Sequence, residues 1–185
     1  MSEPSRSSVI YLTGFMGSGK STIGPILANT LGYSFVDLDL LIEQREKRKI
    51  GDIFKEDGEN KFREMERAFL LEISQTPRSV ISLGGGTIID QSSLDLVKKT
   101  GVLIYLKADP QYIYKRLRTK SDRPMLRTPD GDLMDADQLQ GRIEELLSKR
   151  EGYYMQAHVV IHTDDKKIGN TIDELVRQLR HHIEE

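Results

Sequence analysis

The stretch GFMGSGKST at residues 14–22 places glycine, lysine and serine at the spacing G-x-x-x-x-G-K-S, from Gly14 to Ser21. Glycines let the backbone turn so that successive N–H groups face phosphate oxygens, and a following helix adds its positive N-terminal end. In such a loop Lys20 reaches the β- and γ-phosphates of a nucleoside triphosphate, and the Ser21 hydroxyl ligates Mg²⁺. The residues predicted to contact the nucleotide here are Gly17, Ser18, Gly19, Lys20, Ser21 and Thr22.

Two carboxylates, Asp37 and Asp39, stand at the end of the apolar stretch YSFVDLD. Residues two apart on an extended chain face the same way, so we expect both near the phosphate loop. One carboxylate would hold the water shell of the metal, and the other would accept the proton of an acceptor hydroxyl. The D-x-D spacing alone is weak evidence, since it is more typical of a surface pair or a helix N-cap.

Two arginines, Arg63 in NKFREME and Arg150 in SKREGYY, are candidates to receive an anionic acceptor. Arginine pairs with a carboxylate through two parallel hydrogen bonds, which fix its orientation as well as adding energy. The alternative for Arg63 is a surface salt bridge with Glu59 or Glu66, each about one helical turn away.

These residues need a scaffold, and apolar, β-branched runs of strand length occur at 8–14, 33–39, 79–86, 101–107 and 158–163. Segments with helical spacing lie between them, such as STIGPILANTLG, which ends at Gly32 as helices often do. Near-continuous apolar strands separated by helices indicate a five-stranded parallel sheet covered on both faces. The predicted class is three-layer α/β/α. The segment 118–137, which is charged and rich in Pro and Gly, is predicted to be a lid, with disorder as the alternative.

Length and composition limit the number of domains, the kinds of binding partner and the compartment. A chain of 185 residues predicts a single domain, 1–185, and a net charge of −2 gives no field that attracts nucleic acid or anionic lipid. The absence of cysteine suits a reducing compartment, and no apolar run approaches the length of a signal peptide core or membrane span. We therefore expect a cytoplasmic protein that works as a monomer.

Six segments in order resemble the shikimate kinases, which are P-loop small-molecule kinases of the nucleoside-monophosphate-kinase type. They are GFMGSGKSTIG (14–24), DLD (37–39), GENKFREMER (58–67), SLGGGTI (82–88), DRPML (122–126) and SKREGYY (148–154). The resemblance covers nearly the whole chain and implies a P-loop kinase fold with a lid. It also implies ATP- and Mg²⁺-dependent phosphorylation of the 3-hydroxyl of shikimate.

On the acceptor side, the resemblance implies that Asp39 contacts the hydroxyl of shikimate while Arg63 and Arg150 hold its carboxylate. The glycine turn of the family corresponds to Gly84, Gly85 and Gly86, where a side chain on the middle residue would occupy substrate space.

On the nucleotide side, the resemblance assigns Arg123 to the lid arginine that neutralises charge on the transferring phosphoryl group. Asp37 corresponds to the carboxylate near Mg²⁺, acting through water, and Ser21 to the direct ligand. Arg118 and Lys166 are the residues expected to flank adenine. Arg116 and Lys167 stay open as alternatives at those two positions.

Two other functions remain possible at this point. A related small-molecule kinase, for example one acting on gluconate, would have a similar phosphate loop, and the paired arginines together with the triple glycine favour shikimate. A nucleotide-dependent sensor without catalytic activity is the second alternative. A GTPase is disfavoured because the sequence has no guanine-reading N-K-x-D motif.

Overall fold

The computed structural model describes residues 8–118, 134–164 and 166–183. Its strands are β1 (Val9–Thr13), β2 (Ser34–Asp37), β3 (Ser79–Ser82), β4 (Val102–Lys107) and β5 (Val159–His162). Its helices are α1 (Lys20–Leu31), α2 (Leu38–Glu46), α3 (Ile50–Glu56), α4 (Gly58–Ile73), α5 (Gln91–Thr100), α6 (Pro110–Leu117), α7 (Ala136–Tyr154) and α8 (Ile168–Leu179). A 3₁₀ turn, Thr87–Ile89, follows the glycines after β3.

The strands form one parallel sheet in the order β2-β3-β1-β4-β5. Each of the five predicted apolar runs contains one of these strands, so the predicted sheet is confirmed. The register pairs Leu12 of β1 and Asp37 of β2 with Ser82 of β3. The carboxyl ends of these three strands therefore lie level with one another at one edge of the sheet.

Helices cover both faces of the sheet, as the buried strands predict. Side chains of β1 alternate, so Ile10 and Leu12 pack with α1 and α8 on one face, while Tyr11 packs with α2, α4, α5 and α7 on the other. A third apolar cluster beneath the phosphate loop joins Phe15 to helices α6 and α7 through Ile113 and Ile143. The three-layer α/β/α prediction is confirmed.

Helix boundaries follow local signals. Helix α1 ends where Gly32 adopts a left-handed conformation, with φ of 66°. Backbone N–H donation at this cap satisfies carbonyl groups in the last turn of the helix. Helix α7 begins with a capping box between Asp135 and Gln138, so Ala136 and Asp137 are helical. The last two residues of the segment predicted to be a lid, 118–137, are therefore helical, and 119–133 lie outside the described residues, so the lid stays a prediction.

Among the residues that the structure describes, no helix is both long and apolar enough to cross a lipid bilayer.

Candidate active site

The carboxyl ends of β1, β2 and β3 carry the residues singled out from the sequence. The phosphate loop follows β1, the Asp37–Asp39 segment follows β2, and the glycines 84–86 follow β3, the strand between them. Leu83 continues the register by donating its N–H to the Leu12 carbonyl at 2.9 Å. This arrangement brings the glycine turn between the phosphate loop and the two carboxylates.

The phosphate loop turns as its glycines predict. Gly17 and Gly19 have φ of 83° and 107°, values that side-chain-bearing residues rarely adopt, and Gly19 is the N-cap of α1. The Lys20 ammonium donates to the carbonyls of Gly14 at 2.6 Å and Phe15 at 3.2 Å. Ser21 and Thr22 are exposed in the first turn of α1, beside its positive end. The loop thus has the backbone and charge needed to hold phosphate groups.

Two side chains from distant segments support this loop. The buried Thr163 hydroxyl, just after β5, contacts the carbonyls of Ser18 at 3.0 Å and Lys107 at 3.2 Å. Arg116 of α6 donates to the Gly17 carbonyl at 2.7 Å, and its guanidinium lies 4.3 Å from the ring centroid of Tyr112. The conformation of the loop is therefore coupled to β5 and α6.

The basic residues expected near adenine differ in their surroundings. Arg118 is exposed at the C-terminal end of α6, whereas Arg116, its alternative, is anchored on the phosphate loop. Lys166 forms a salt bridge of 2.8 Å with Glu174 of α8, and Lys167 is exposed at the N-cap of that helix. Arg123 lies outside the described residues.

The two carboxylates do not share an extended strand, so the expected alternation was wrong. Strand β2 ends at Asp37, which is the N-cap of α2 and accepts the Leu40 N–H at 3.2 Å. Helix α2 begins at Leu38, so Asp39 stands in its first turn. The N-cap alternative applies to Asp37, and the helix rather than the strand directs Asp39 towards the glycine turn.

Each of the three consecutive glycines lies against one of the predicted acceptor residues. A Cβ atom added to Gly84 would lie 2.8 Å from Asp39 Oδ1. One added to Gly85 would lie 3.4 Å from Arg150 Nη1, and one added to Gly86 would lie 2.7 Å from Arg63 Nη2. The turn is therefore the point at which segments from α2, α4 and α7 converge.

Arg63 is held by acidic neighbours on its own helix. Its guanidinium donates to Glu66 Oε2 at 2.7 Å and to Glu59 Oε1 at 3.3 Å, so the predicted salt-bridge alternative is present. Burial alone would lower the pKa of Arg63, but Glu66 and then Glu59 more than offset it and raise that pKa. Glu66 is only 2% exposed and also accepts the Thr87 hydroxyl at 2.7 Å, which fixes Arg63 beside the turn.

Arg150 differs from Arg63 in having no acidic partner in the part of the chain that the structure describes. It is 7% exposed, donates to the Gly85 carbonyl at 3.3 Å and lies 5.8 Å from the ring centroid of Phe15. Within residues 8–118, 134–164 and 166–183 it forms no salt bridge. A buried cation without a counter-charge is costly, and an anionic ligand would remove that cost.

The oxygen donors predicted for Mg²⁺ suit that ion. Mg²⁺ prefers hard oxygen ligands and is usually held by one or two protein groups together with substrate phosphates. Ser21 offers an exposed hydroxyl in the first turn of α1. Asp37 is half-buried, and its cap bond uses Oδ1, which leaves carboxylate lone pairs for a water shell.

Sequence reasoning missed Thr163 and Tyr154, and it named Glu66 only as a surface partner of Arg63, not as the buried residue that also accepts the Thr87 hydroxyl. Tyr154 donates its hydroxyl to the Gly85 carbonyl at 2.5 Å. Helical spacing offered a signal for two of them, since Glu66 follows Arg63 by three residues and Tyr154 follows Arg150 by four. No comparable signal exists for Thr163, whose contact with Ser18 spans 145 positions.

A glycine-rich loop between a central parallel strand and a helix, with lysine in the first turn, defines a P-loop nucleotide-binding protein. Comparison with known proteins narrows this class. The sequence model of the family described as "Shikimate kinase" matches residues 16–180. The chain belongs to the shikimate kinase family.

Individual relatives agree with this assignment. The shikimate kinase of Chlorobaculum tepidum is 49% identical over 176 residues, covering 95% of this chain and 92% of the relative. The solved shikimate kinase of Bacteroides thetaiotaomicron has a TM-score of 0.86 and 34% identity, covering 93% of this chain and 98% of that one. The Acinetobacter baumannii enzyme, solved in complex with shikimate, has a TM-score of 0.85 and 28% identity, covering 94% and 93% of the two chains.

Proposed function

We propose that this protein transfers the γ-phosphoryl group of ATP to the 3-hydroxyl of shikimate, giving shikimate 3-phosphate and ADP. The observation that carries the proposal is the glycine turn 84–86, which lies between the phosphate loop and three polar side chains of the types this reaction needs. Membership of the shikimate kinase family supports it, as does the shikimate bound to the Acinetobacter baumannii relative.

In this proposal Arg63 and Arg150 hold the carboxylate of the acceptor. Arg150 is the stronger candidate for charge neutralisation because it is buried without a salt bridge in the described part of the chain. Arg63 already has Glu66 and Glu59 beside it, so it contributes directed hydrogen bonds more than net charge. The glycines of the turn let the ring of the acceptor approach the backbone.

Asp39 then accepts a hydrogen bond from the acceptor hydroxyl and orients it for in-line attack on the γ-phosphorus. Its place beside Gly84 supports this role, since Gly84 adjoins the glycine nearest Arg150. Asp39 or solvent water takes up the proton of the hydroxyl, and the phosphoryl group moves from the β,γ-bridging oxygen of ATP to the substrate oxygen, so that ADP leaves.

The nucleotide is held by Gly17, Ser18, Gly19, Lys20, Ser21 and Thr22. Lys20 stabilises the transferring group, and Arg123 is proposed from the family resemblance to do so as well. Ser21 and Asp37 would hold Mg²⁺, which neutralises phosphate charge when bound. Arg118 and Lys166 remain the proposed neighbours of adenine, with Arg116 and Lys167 as their alternatives.

A coupled assay of ADP release tests the proposed activity against its rivals. We expect ADP release that depends on shikimate and is absent with gluconate or with no acceptor. Release with gluconate alone would instead identify the related kinase. ATP binding without release in any mixture would identify a sensor and contradict the proposal.

We also propose that the enzyme acts in the cytoplasm as a monomer. Asp39, Arg63 and Arg150 approach one glycine turn within a single chain, and Lys20 bonds the Gly14 carbonyl beside that turn, so these residues need none from a second subunit. Light scattering across a range of protein concentrations should give a mass near the 21.1 kDa of one chain. A mass of twice that value at assay concentration would contradict the proposed state.

A further inference from the structure

The middle glycine of the turn is held by a tyrosine that the proposed chemistry does not use. Tyr154 is the last residue of α7 and is fully buried. Its hydroxyl donates to the Gly85 carbonyl at 2.5 Å, across 69 positions of sequence. Arg150, one turn earlier on the same helix, donates to the same carbonyl at 3.3 Å. One backbone oxygen therefore receives two donors from one helix face.

The phenol is well placed to act as a fixed donor. Its ring packs on Tyr105, with the ring centroids 5.0 Å apart and an interplanar angle of 36°. Burial raises the pKa of Tyr154 to about 12, with Arg150 opposing that rise. The hydroxyl therefore keeps its proton at neutral pH and donates to the carbonyl throughout the working range.

The bond to Gly85 also controls the next residue. A trans peptide is planar, so its C=O and the following N–H point in opposite directions. Fixing the Gly85 carbonyl thus fixes the direction of the Gly86 N–H, and Gly86 is the glycine that lies against Arg63. Three consecutive glycines have wide conformational freedom, so their orientation depends on such hydrogen bonds.

We propose that Tyr154 is a positioning residue for acceptor binding: through the Gly85 carbonyl it orients the glycine turn and the guanidinium of Arg150. The inference rests on the proposed function, and it identifies the Tyr154 hydroxyl as the group that aligns the acceptor site. Tyr154 touches neither reacting group in this account. Its loss should therefore affect acceptor binding, with little effect on ATP binding.

Tyr154→Phe tests this inference because it removes only the hydroxyl and keeps the ring against Tyr105. We expect the KM for shikimate to rise about five- to tenfold, as for the loss of one hydrogen bond at a site that binds a charged group. The KM for ATP should stay within about twofold of wild type, because Tyr154 acts on the acceptor side of the turn.

Tyr105→Phe is the matched control, since it removes a buried phenol hydroxyl from the stacked partner without touching Gly85. Circular dichroism and thermal melting would be recorded for both variants. An unchanged KM for shikimate in Tyr154→Phe, with only a lower melting temperature, would overturn the inference. A rise of equal size in Tyr105→Phe would overturn it as well.

A double-mutant cycle with Arg150→Lys separates positioning from general packing. If both residues act through one carbonyl, Tyr154→Phe should change the KM for shikimate less in the Arg150→Lys background than in wild type. Fully additive effects would contradict the shared-carbonyl route. The wild-type protein in the same assay reports on the proposed function itself, so failure of that proposal is seen separately from failure of the role of Tyr154.

Discussion

At the level of single residues, the acceptor side of the site is a set of close approaches to glycine. A Cβ added to Gly84 would displace the Asp39 carboxylate, and one added to Gly86 would displace the Arg63 guanidinium. A Cβ added to Gly85 would lie 3.4 Å from Arg150 Nη1, an ordinary van der Waals contact. Single substitutions in the turn would therefore disturb different side chains to different degrees.

Asp39→Asn tests the proposed role of the carboxylate. The amide keeps the size of the side chain but accepts a hydrogen bond more weakly and cannot take up a proton. We expect kcat to fall at least about 100-fold while the KM for ATP changes by less than about twofold. Steady-state kinetics with both substrates varied would check this. Near wild-type turnover in this variant would remove Asp39 from the mechanism.

Gly86→Ala tests the close approach of Arg63. The new Cβ would lie 2.7 Å from Arg63 Nη2, so the guanidinium must move out of its position between Glu59 and Glu66. We expect the KM for shikimate to rise at least about tenfold, because charge-assisted hydrogen bonds to the acceptor are lost or misdirected.

Gly152→Ala in α7 is the control for this substitution, since nothing lies within 4 Å of a Cβ added at that position. It should leave the kinetics unchanged and stabilise the fold by up to about 1 kcal/mol, because alanine favours helix. Equal kinetic effects of the two substitutions would show that Arg63 is not the cause.

At the level of elements, the boundary between β2 and α2 shows where prediction from sequence fails. The apolar run 33–39 correctly located the strand, but helix α2 begins at Leu38, directly after the Asp37 cap. An aspartate is common both at strand ends and at N-caps, so alternation could not determine which way Asp39 faces. Both carboxylates still reach the predicted edge of the sheet, because the order of the strands fixes that edge.

The edge of the sheet near β5 carries a pH-dependent hydrogen bond. The ring nitrogen Nδ1 of His158 accepts a hydrogen bond from the Leu103 N–H at 2.9 Å. The backbone N–H of His158 in turn donates to the Leu103 carbonyl. Partial burial of the ring, then His182 and Lys98, lowers the pKa of His158 below its usual 6.5. A protonated ring cannot accept this bond, so its contribution is complete above about pH 6.5 and is lost as the pH falls further.

We therefore expect the melting temperature to fall between pH 7 and pH 5, and to fall less in His158→Asn. The asparagine amide oxygen can accept the Leu103 N–H at every pH. Thermal melts of wild type, His158→Asn and the exposed control His181→Asn would measure this. If His158→Asn and wild type lose the same stability on acidification, the bond is not responsible.

Helix α6 carries the two arginines proposed as alternatives for the neighbour of adenine, and their surroundings predict different effects of substitution. Arg116 braces the Gly17 carbonyl and stacks on Tyr112, whereas Arg118 is exposed at the end of the helix. We expect Arg116→Ala to raise the KM for ATP about tenfold, as for the loss of a charge-assisted hydrogen bond. Arg118→Ala is the paired variant, and a larger effect there would favour Arg118 as the adenine neighbour.

At the level of the whole molecule, the sheet order explains why the sequence predicted so much of the site. Strand β3 lies between β1 and β2, so the glycine turn must meet the phosphate loop on one side and Asp39 on the other. Sequence motifs identify each of these loops separately. Helical spacing indicates only that Tyr154 shares a helix face with Arg150, and the contact of Thr163 could not be predicted, because it depends on how β5 packs against a loop far away in sequence.

In the proposed active site, the phosphate loop faces two arginines, Arg63 and Arg150, that bind the carboxylate of a small hydroxylated acid. The most direct measurement is a crystal structure of the protein with shikimate and ADP bound. We expect the carboxylate of shikimate between the guanidinium groups of Arg63 and Arg150, with its 3-hydroxyl towards Asp39. A carboxylate bound elsewhere, for example at Lys20, or either arginine turned away from the ligand, would contradict the proposed acceptor site.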